Sequence, residues 1–389
     1  MDPVLQDEQA PLVYLNNAAT TWPKPPDVLF EVARCLRLPL HEPGRTTGNG
    51  STDYPSAARE ALAVLFHTGP PGHFIFTQNA TDALNLLIHG FAGQTGTPFH
   101  AVTTELEHNS VLRPLHTLSQ EGAVTLSVVP FTGTNVSLGA IKNAIRAETR
   151  LVVMTHGSNV LGSVQDIRPI AEYLHANDIF FIIDGAQTAG HIPVDLSDIP
   201  AGAFVFTGHK ALFGIPGIGG FHIRDPDRVA ITRQGGTGTD SKVLTHPTDM
   251  PVRFEAGTPN YPGIASLYAG VRFINSTGLD AIGKKTGDLT QRFIRELKRD
   301  PNIVVYNERP GLPVVPFNIN GIDNHEAGFI LARAYHVITR TGLHCAPLVH
   351  ERITGGQGCI RASFSYFNTP DQITTAAAAI REVAQGADS

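Results

Sequence analysis

The run FFIID, Phe180 to Asp184, is apolar without alternation and stops on a carboxylate. A strand with one wet face alternates apolar and polar residues, so an unbroken apolar run has to be covered on both sides. RLVVMTHGSN, from Arg150, and GAFVFTGHK, from Gly202, are similar runs that end in polar loops. Between Arg150 and Phe180, DIRPIAEYLHAND carries apolar side chains at helical spacing. PSAAREALAVLFH and TDALNLLIHGFA do the same earlier in the chain, and HAVTTELEH reads as a strand leading into a loop. Strands alternating with helices predict an α/β fold on a mostly parallel sheet with helices on both faces.

The pattern changes near Ile264. GIASLYAGVRFINSTG and LDAIGKKTGDLTQRFIRELKRD are long helical segments. They are followed by strands in NIVVYN, VVPFNI, VITRT and IRASFSYF, a helix near HEAGFILARAYH, and a final helix in PDQITTAAAAIREVAQ. The division expected is a large domain over residues 14–263 and a smaller α+β domain from 1–13 and 264–389.

Of 389 residues, 42% are apolar and 16% charged, which is ordinary for a soluble globular enzyme. The net charge of −6 offers no basic excess for nucleic acid or an anionic membrane. No run is apolar and long enough to predict a membrane-spanning helix. MDPVLQDEQAPLVYLNNAATTWPKPP has no basic stretch followed by an apolar one, so no secretory signal is expected. Three cysteines make no disulfide framework, and no Cys/His pair has the usual zinc spacing. A cytoplasmic location follows as an expectation.

In open α/β sheets, ligands collect at the carboxyl ends of the strands. The polar clusters there are His108-Asn109, His156 to Asn159, Asp184 to Gln187 and Thr207 to Lys210. Lys210 follows an apolar strand; a desolvated lysine amine becomes a nucleophile toward carbonyls, although a surface lysine after a strand is the plainer reading. A buried Asp184 needs a cationic partner. A protonated pyridine nitrogen is such a partner, and a helix cap or metal ligand is the alternative. His108 can stack on a flat ring and exchange protons near neutrality, or be a satisfied polar residue. Asn79, Ala80 and Thr81 stand where a helix begins, which suits an anion such as phosphate, or simply a helix cap at Thr81. Arg361 can grip a carboxylate with two parallel hydrogen bonds, or form an ion pair. Cys345, in TRTGLHCAP, would be a nucleophile as its thiolate, with His344 and Arg340 making the setting electropositive. Cys35 and Cys359 read as structural.

The order of these blocks resembles the class V aminotransferase group of fold-type I pyridoxal-phosphate enzymes, and within it the cysteine desulfurases. The resemblance runs from YLNNAAT at Tyr14 to FNTPDQI near the end. It is carried by EHNSVLRP, HGSNVLGSVQDI, IIDGAQTAGHIPVD, TGHKALFGIPGIG, RFEAGTPN, RTGLHCAP and RASFSYFNT. It implies a seven-stranded, mostly parallel sheet in the large domain. It implies that Lys210 holds the cofactor aldehyde, Asp184 pairs with the pyridine nitrogen, and His108 stacks on the ring. Gln187 and Asn159 would bond the phenolic-oxygen side, and Thr81, Thr207 and His209 the phosphate. Thr258 would reach the phosphate of a neighbouring subunit, which implies a homodimer. Cys345 would take the sulfur of L-cysteine as a persulfide for an acceptor protein, releasing alanine, with possible action on selenocysteine. Arg361 would bind the substrate carboxylate and Arg340 line the same pocket. The short spacing from Cys345 to Arg361 resembles the group II, SufS-like branch.

Two departures bear on substrate preference. Asn16 stands where an aspartate is common, and Thr46-Thr47-Gly48 where a histidine often follows the arginine. The alternatives are a C–S β-lyase, aminotransferase or epimerase on the same fold, with Cys345 incidental; a cofactor-binding regulator without turnover; and a sulfur-relay protein whose partner matters more than its turnover.

Overall fold

The computed structural model describes residues 12–39, 52–96, 98–238 and 242–387. Thr46, Thr47 and Gly48 lie outside the described residues.

Seven strands form the main sheet, in the order Phe74–Thr77, Gly219–Ile223, Ala203–Thr207, Phe180–Asp184, Thr149–Thr155, Phe99–Thr104, Val124–Val129. The last five run parallel to one another, while Gly219–Ile223 is antiparallel to both its neighbours. The reason for the unbroken FFIID run is visible in its packing. Phe181 and Ile183 join one buried apolar cluster and Phe180 and Ile182 another, so the strand is covered on both faces. Helices Tyr54–Leu65 and Ile167–Ala176 cover the first face, and Ala80–Thr95 and Asn109–Gln120 the second.

A second, four-stranded antiparallel sheet follows, in the order Arg340–Gly342, Cys359–Ser363, Val314–Ile319, Ile303–Val305. Its core takes in Leu289, Phe293, Ile294 and Leu297 of helix Leu279–Leu297 and Ile373, Ile380 and Val383 of helix Pro370–Gly386, together with Val13 and Leu15 from the other end of the chain. Val13–Tyr14 pairs in parallel with Val337–Ile338. The helix Tyr261–Thr277 packs with the first core through Ile264, Leu267, Val271 and Ile274.

Three local readings change. VITRT is two strands, because Val337–Ile338 pairs with the N-terminal segment while Arg340–Gly342 joins the antiparallel sheet. The strand in IRASFSYF ends at Ser363. The glycines of ALFGIPGIGG predict a turn, yet Gly219 and Gly220 already belong to the strand Gly219–Ile223. No helix among the described residues is long and apolar enough to cross a membrane.

Candidate active site

The parallel strands deliver their polar ends to one rim, and a cavity of about 340 Å³ opens there. Asn79, Ala80, Thr81, His108, Asn159, Asp184, Gln187, Thr207, His209, Lys210, Arg340, Cys345 and Arg361 all line it. Thr258 does not. It is exposed and lines a separate cavity of about 190 Å³ with Gly217, Arg233 and Asn260. Of the strand-end clusters, His156, Ser158 and Asn109 do not line the main cavity, although Gly157 does.

Lys210 and Asp184 are the charged pair at the floor. Burial drives the lysine from 10.5 to about 8, aided by the Arg361 charge and opposed by Asp184 and Cys345. An amine so poised loses its proton readily near neutral pH. Burial raises the Asp184 carboxyl, against the Ala186 N–H that it accepts at 2.9 Å and against the Lys210 charge. Behind it lies a second buried acid that sequence reasoning did not single out. Glu107 accepts from Thr104 Oγ1 at 2.6 Å and from Thr155 N at 3.0 Å, and burial pushes its carboxyl up to about 8. A mostly protonated Glu107 at neutral pH adds no second negative charge beside Asp184.

His108 caps the helix Asn109–Gln120. Its Nδ1 accepts from Ser110 N at 3.1 Å, which leaves Nε2 to carry the proton. Burial, with the Lys210, Arg361 and Arg113 charges, lowers its pKa to about 4. The ring is therefore uncharged at neutral pH.

A helix start and three unpartnered polar atoms offer places for an anion and its ring. Asn79, not Thr81, caps the helix Ala80–Thr95, accepting from Asp82 N at 2.9 Å. Gly219 permits the neighbouring strand to pass close by: a Cβ there would stand 2.7 Å from the Asn79 Cα. Thr207 Oγ1, His209 Nδ1 and Gln187 Oε1 are buried without a hydrogen-bond partner. Buried polar atoms are seldom left so. The helix N–H groups, a threonine hydroxyl and an imidazole suit a phosphate, and the glutamine oxygen suits a phenolic hydroxyl. Together with the lysine and the buried aspartate, these groups fit pyridoxal phosphate. Gln187 Nε2 is already given to the carbonyl of Ala18 at 3.1 Å.

Arg361 enters from the second sheet, 3% exposed. Its Nη1 donates to the Asn159 carbonyl at 2.8 Å and its Nη2 to Asn16 Oδ1 at 3.4 Å, while Nε is buried without a partner. A guanidinium held by neutral oxygens keeps its charge available to an incoming carboxylate.

Cys345 is exposed and lines the same cavity, in the loop between Arg340–Gly342 and the helix Pro347–Thr354. The Asn109 N–H binds its carbonyl at 2.7 Å, and Asn159 Nδ2 binds that of His344 at 2.7 Å. The electropositive role foreseen for His344 does not hold. Burial, with the Arg361 charge, takes its pKa down to about 2, so the ring is neutral. Cys35 and Cys359 are buried, as read from the sequence, and burial pushes Cys359 up to about 12. Besides Glu107, reasoning from sequence missed Ala18, Ala19, Ser110 and Thr155 as lining residues. The YLNNAAT block was the available signal for the alanines.

The class-V aminotransferase family model matches residues 13–375. A probable cysteine desulfurase of Halalkalibacterium halodurans is 31% identical, over 95% of this chain and 93% of that protein. A cysteine desulfurase of Serratia proteamaculans is also 31% identical, over 96% and 93%. The apo structure of cysteine desulfurase from Thermococcus onnurineus superposes with a TM-score of 0.90 at 28% identity, covering 96% of this chain and 95% of that one. The fold, the cofactor-shaped cavity and a match over nearly the whole length agree: this chain belongs to the class-V aminotransferases, a pyridoxal-phosphate-dependent family.

Proposed function

We propose that the chain is a cysteine desulfurase, converting L-cysteine to L-alanine and holding the sulfur as a persulfide on Cys345. The observation that carries this is the placing of an exposed thiol, Cys345, in the same cavity as Lys210, Asp184 and Arg361. Relatives that bear the name cysteine desulfurase support it.

Pyridoxal phosphate, when bound, supplies an aldehyde for the substrate amine and a ring that draws electrons from the substrate α-carbon. Lys210 would anchor it at rest, and once displaced its amine takes the proton from the substrate Cα. Asp184 would hold the ring nitrogen charged, His108 would offer a face to the ring, and Thr207, His209 and the start of helix Ala80–Thr95 would hold the phosphate. Arg361 and Arg340 orient the substrate carboxylate. The Cys345 sulfur, as thiolate, then attacks the substrate sulfur. An S–S bond forms as the Cβ–S bond breaks, the electron pair stays with the carbon skeleton, and protonation there yields alanine.

Thr258 belongs in this reading to the neighbouring subunit's site. Its exposure in a cavity of its own supports a homodimer, as do Leu29, Phe30 and Leu36, all exposed on the helix Pro26–Arg37. The compact cysteine loop supports the group II branch and a separate acceptor protein, and the free thiols suit a reducing cytoplasm. Selenocysteine is a second substrate to try.

The test is the carbon product formed by cofactor-loaded protein from L-cysteine under reducing conditions. Alanine in step with sulfide, lost in Lys210→Ala and Cys345→Ala, supports the proposal, especially if Cys345→Ala keeps its cofactor colour. Pyruvate and ammonia would mean β-elimination. Undiminished desulfuration by Cys345→Ala would sink the assignment of the nucleophile.

A further inference from the structure

Cys345 sits in a turn that its sequence does not favour. Ala346 N donates to the Leu343 carbonyl at 2.9 Å, closing a four-residue turn. Both central residues have positive φ, 50° at His344 and 56° at Cys345. Turns of that kind ordinarily use glycine, asparagine or aspartate there, because a Cβ is crowded in the left-handed region. Such a conformation persists only where its surroundings over-determine it.

The surroundings do so from both sides. On the cavity side, Asn159 Nδ2 and Asn109 N take the carbonyls of His344 and Cys345. On the inner side, the His344 ring lies between two partners. Its Nε2 meets the Arg340 carbonyl at 3.2 Å, and its Nδ1 meets His350 Nε2 at 3.2 Å. A carbonyl only accepts, so His344 carries its proton on Nε2 and its Nδ1 must accept from His350 Nε2–H. One proton arrangement therefore satisfies both ring nitrogens of His344 and places the His350 proton on Nε2, with His350 Nδ1 buried without a partner. His350 is fully buried, and its own carbonyl accepts from Thr354 Oγ1 at 2.9 Å and Gly356 N at 2.9 Å, which fixes its position.

The same pair stands near Cys359, with the three candidate ligand atoms within 4.8 Å of one another. The facing histidine nitrogens are 3.2 Å apart and the ring centroids 5.3 Å. With the Arg340 carbonyl taking the His344 Nε2 proton, the 3.2 Å approach of the facing nitrogens is that of an N–H···N bond.

We propose that His350 is a positioning residue for the Cys345 nucleophile, acting through the His344 ring to hold the strained turn that presents the thiol. This rests on the reading of Cys345 as nucleophile. Burial takes the pKa of His350 to about 4 and that of His344 to about 2, so the donor chain persists at neutral pH.

The experiment compares holoenzyme variants at position 350. His350→Leu removes the donor. It should lower kcat for sulfide release by about tenfold or more, as expected when a reacting group is misplaced. KM for L-cysteine and the cofactor absorbance change on adding L-cysteine should stay close to the parent's. The rate of Cys345 alkylation by iodoacetamide should change in parallel with kcat. His350→Gln places an amide N–H near the former Nε2 and should restore most of the rate, whereas His350→Asn, too short to reach, should not. The Gln and Asn pair also serves if the Leu variant does not fold. Equal kcat in Gln and Asn, or unchanged kcat and alkylation in Leu, overturns the proposal. A Cys345→Ala enzyme with full activity would instead remove the reading beneath it.

Discussion

Asn159 donates its side-chain amide to the His344 carbonyl at 2.7 Å, while its own carbonyl accepts Arg361 Nη1 at 2.8 Å. One residue thus ties the cysteine loop to Arg361, the proposed receptor of the substrate carboxylate. Asn159→Ala leaves a carbonyl without its donor, a cost of about 1–3 kcal/mol at a buried site. The expected result is a fall in kcat for sulfide release of about tenfold, with a smaller change in cofactor affinity. Steady-state sulfide assays and cofactor titration check this.

Arg361 is ringed by neutral oxygens, one of them Asn16 Oδ1 at 3.4 Å. Asn16→Asp would place a carboxylate where it competes with the substrate for the guanidinium. KM for L-cysteine should rise by about tenfold, with kcat less affected. An unchanged KM would mean that the substrate carboxylate is held elsewhere.

Lys210 makes stability depend on pH in the cofactor-free protein. Its pKa falls from 10.5 to about 8 on folding, burial first among the causes. Between those values the unfolded chain binds more protons than the folded one, so stability rises with pH across the window. Below it, the folded state bears the full cost of the buried charge. Lys210→Met removes that cost. The variant should melt above the parent at pH 7, and the gap should narrow as pH climbs through the window. Thermal melts of the cofactor-free proteins at several pH values read this directly; a gap independent of pH argues against the lysine as its source.

Gly219 stands against the backbone at the start of helix Ala80–Thr95. An added Cβ would lie 2.7 Å from both Cα and C of Asn79, with the Phe206 carbonyl at 3.0 Å. Backbone cannot swing aside as a side chain can, so Gly219→Ala should shift the helix start. Cofactor dissociation should strengthen by about tenfold, equivalent to about 1.4 kcal/mol. Spectral titration of the apoenzyme measures it.

The parallel strands and the residues at their ends were legible because burial on both faces leaves an unbroken apolar run, as in Phe180–Asp184. Val124–Val129 was not read as a strand; it lies at the sheet edge and its inner positions are partly exposed. Gly219–Ile223 was missed because its first two residues are glycines, whose presence reads as a turn. The charge of His344 was misjudged because burial, which sequence spacing does not reveal, decides whether an imidazole keeps a proton. Glu107 is the residue before His108 and was passed over for the same reason. The primed turn at His344-Cys345 carries neither glycine nor asparagine, so nothing local announces it.

Asn17 Nδ2 reaches the Ser363 carbonyl across 346 positions of sequence, beside the parallel pairing of Val13–Tyr14 with Val337–Ile338. Ala18 and Ala19, on the same stretch, line the catalytic cavity. During synthesis on the ribosome, the early part of that wall has to wait until the strand Cys359–Ser363 has emerged. A nascent chain arrested before that point lacks the tie between Asn17 and Ser363, so this wall closes only once that strand is available.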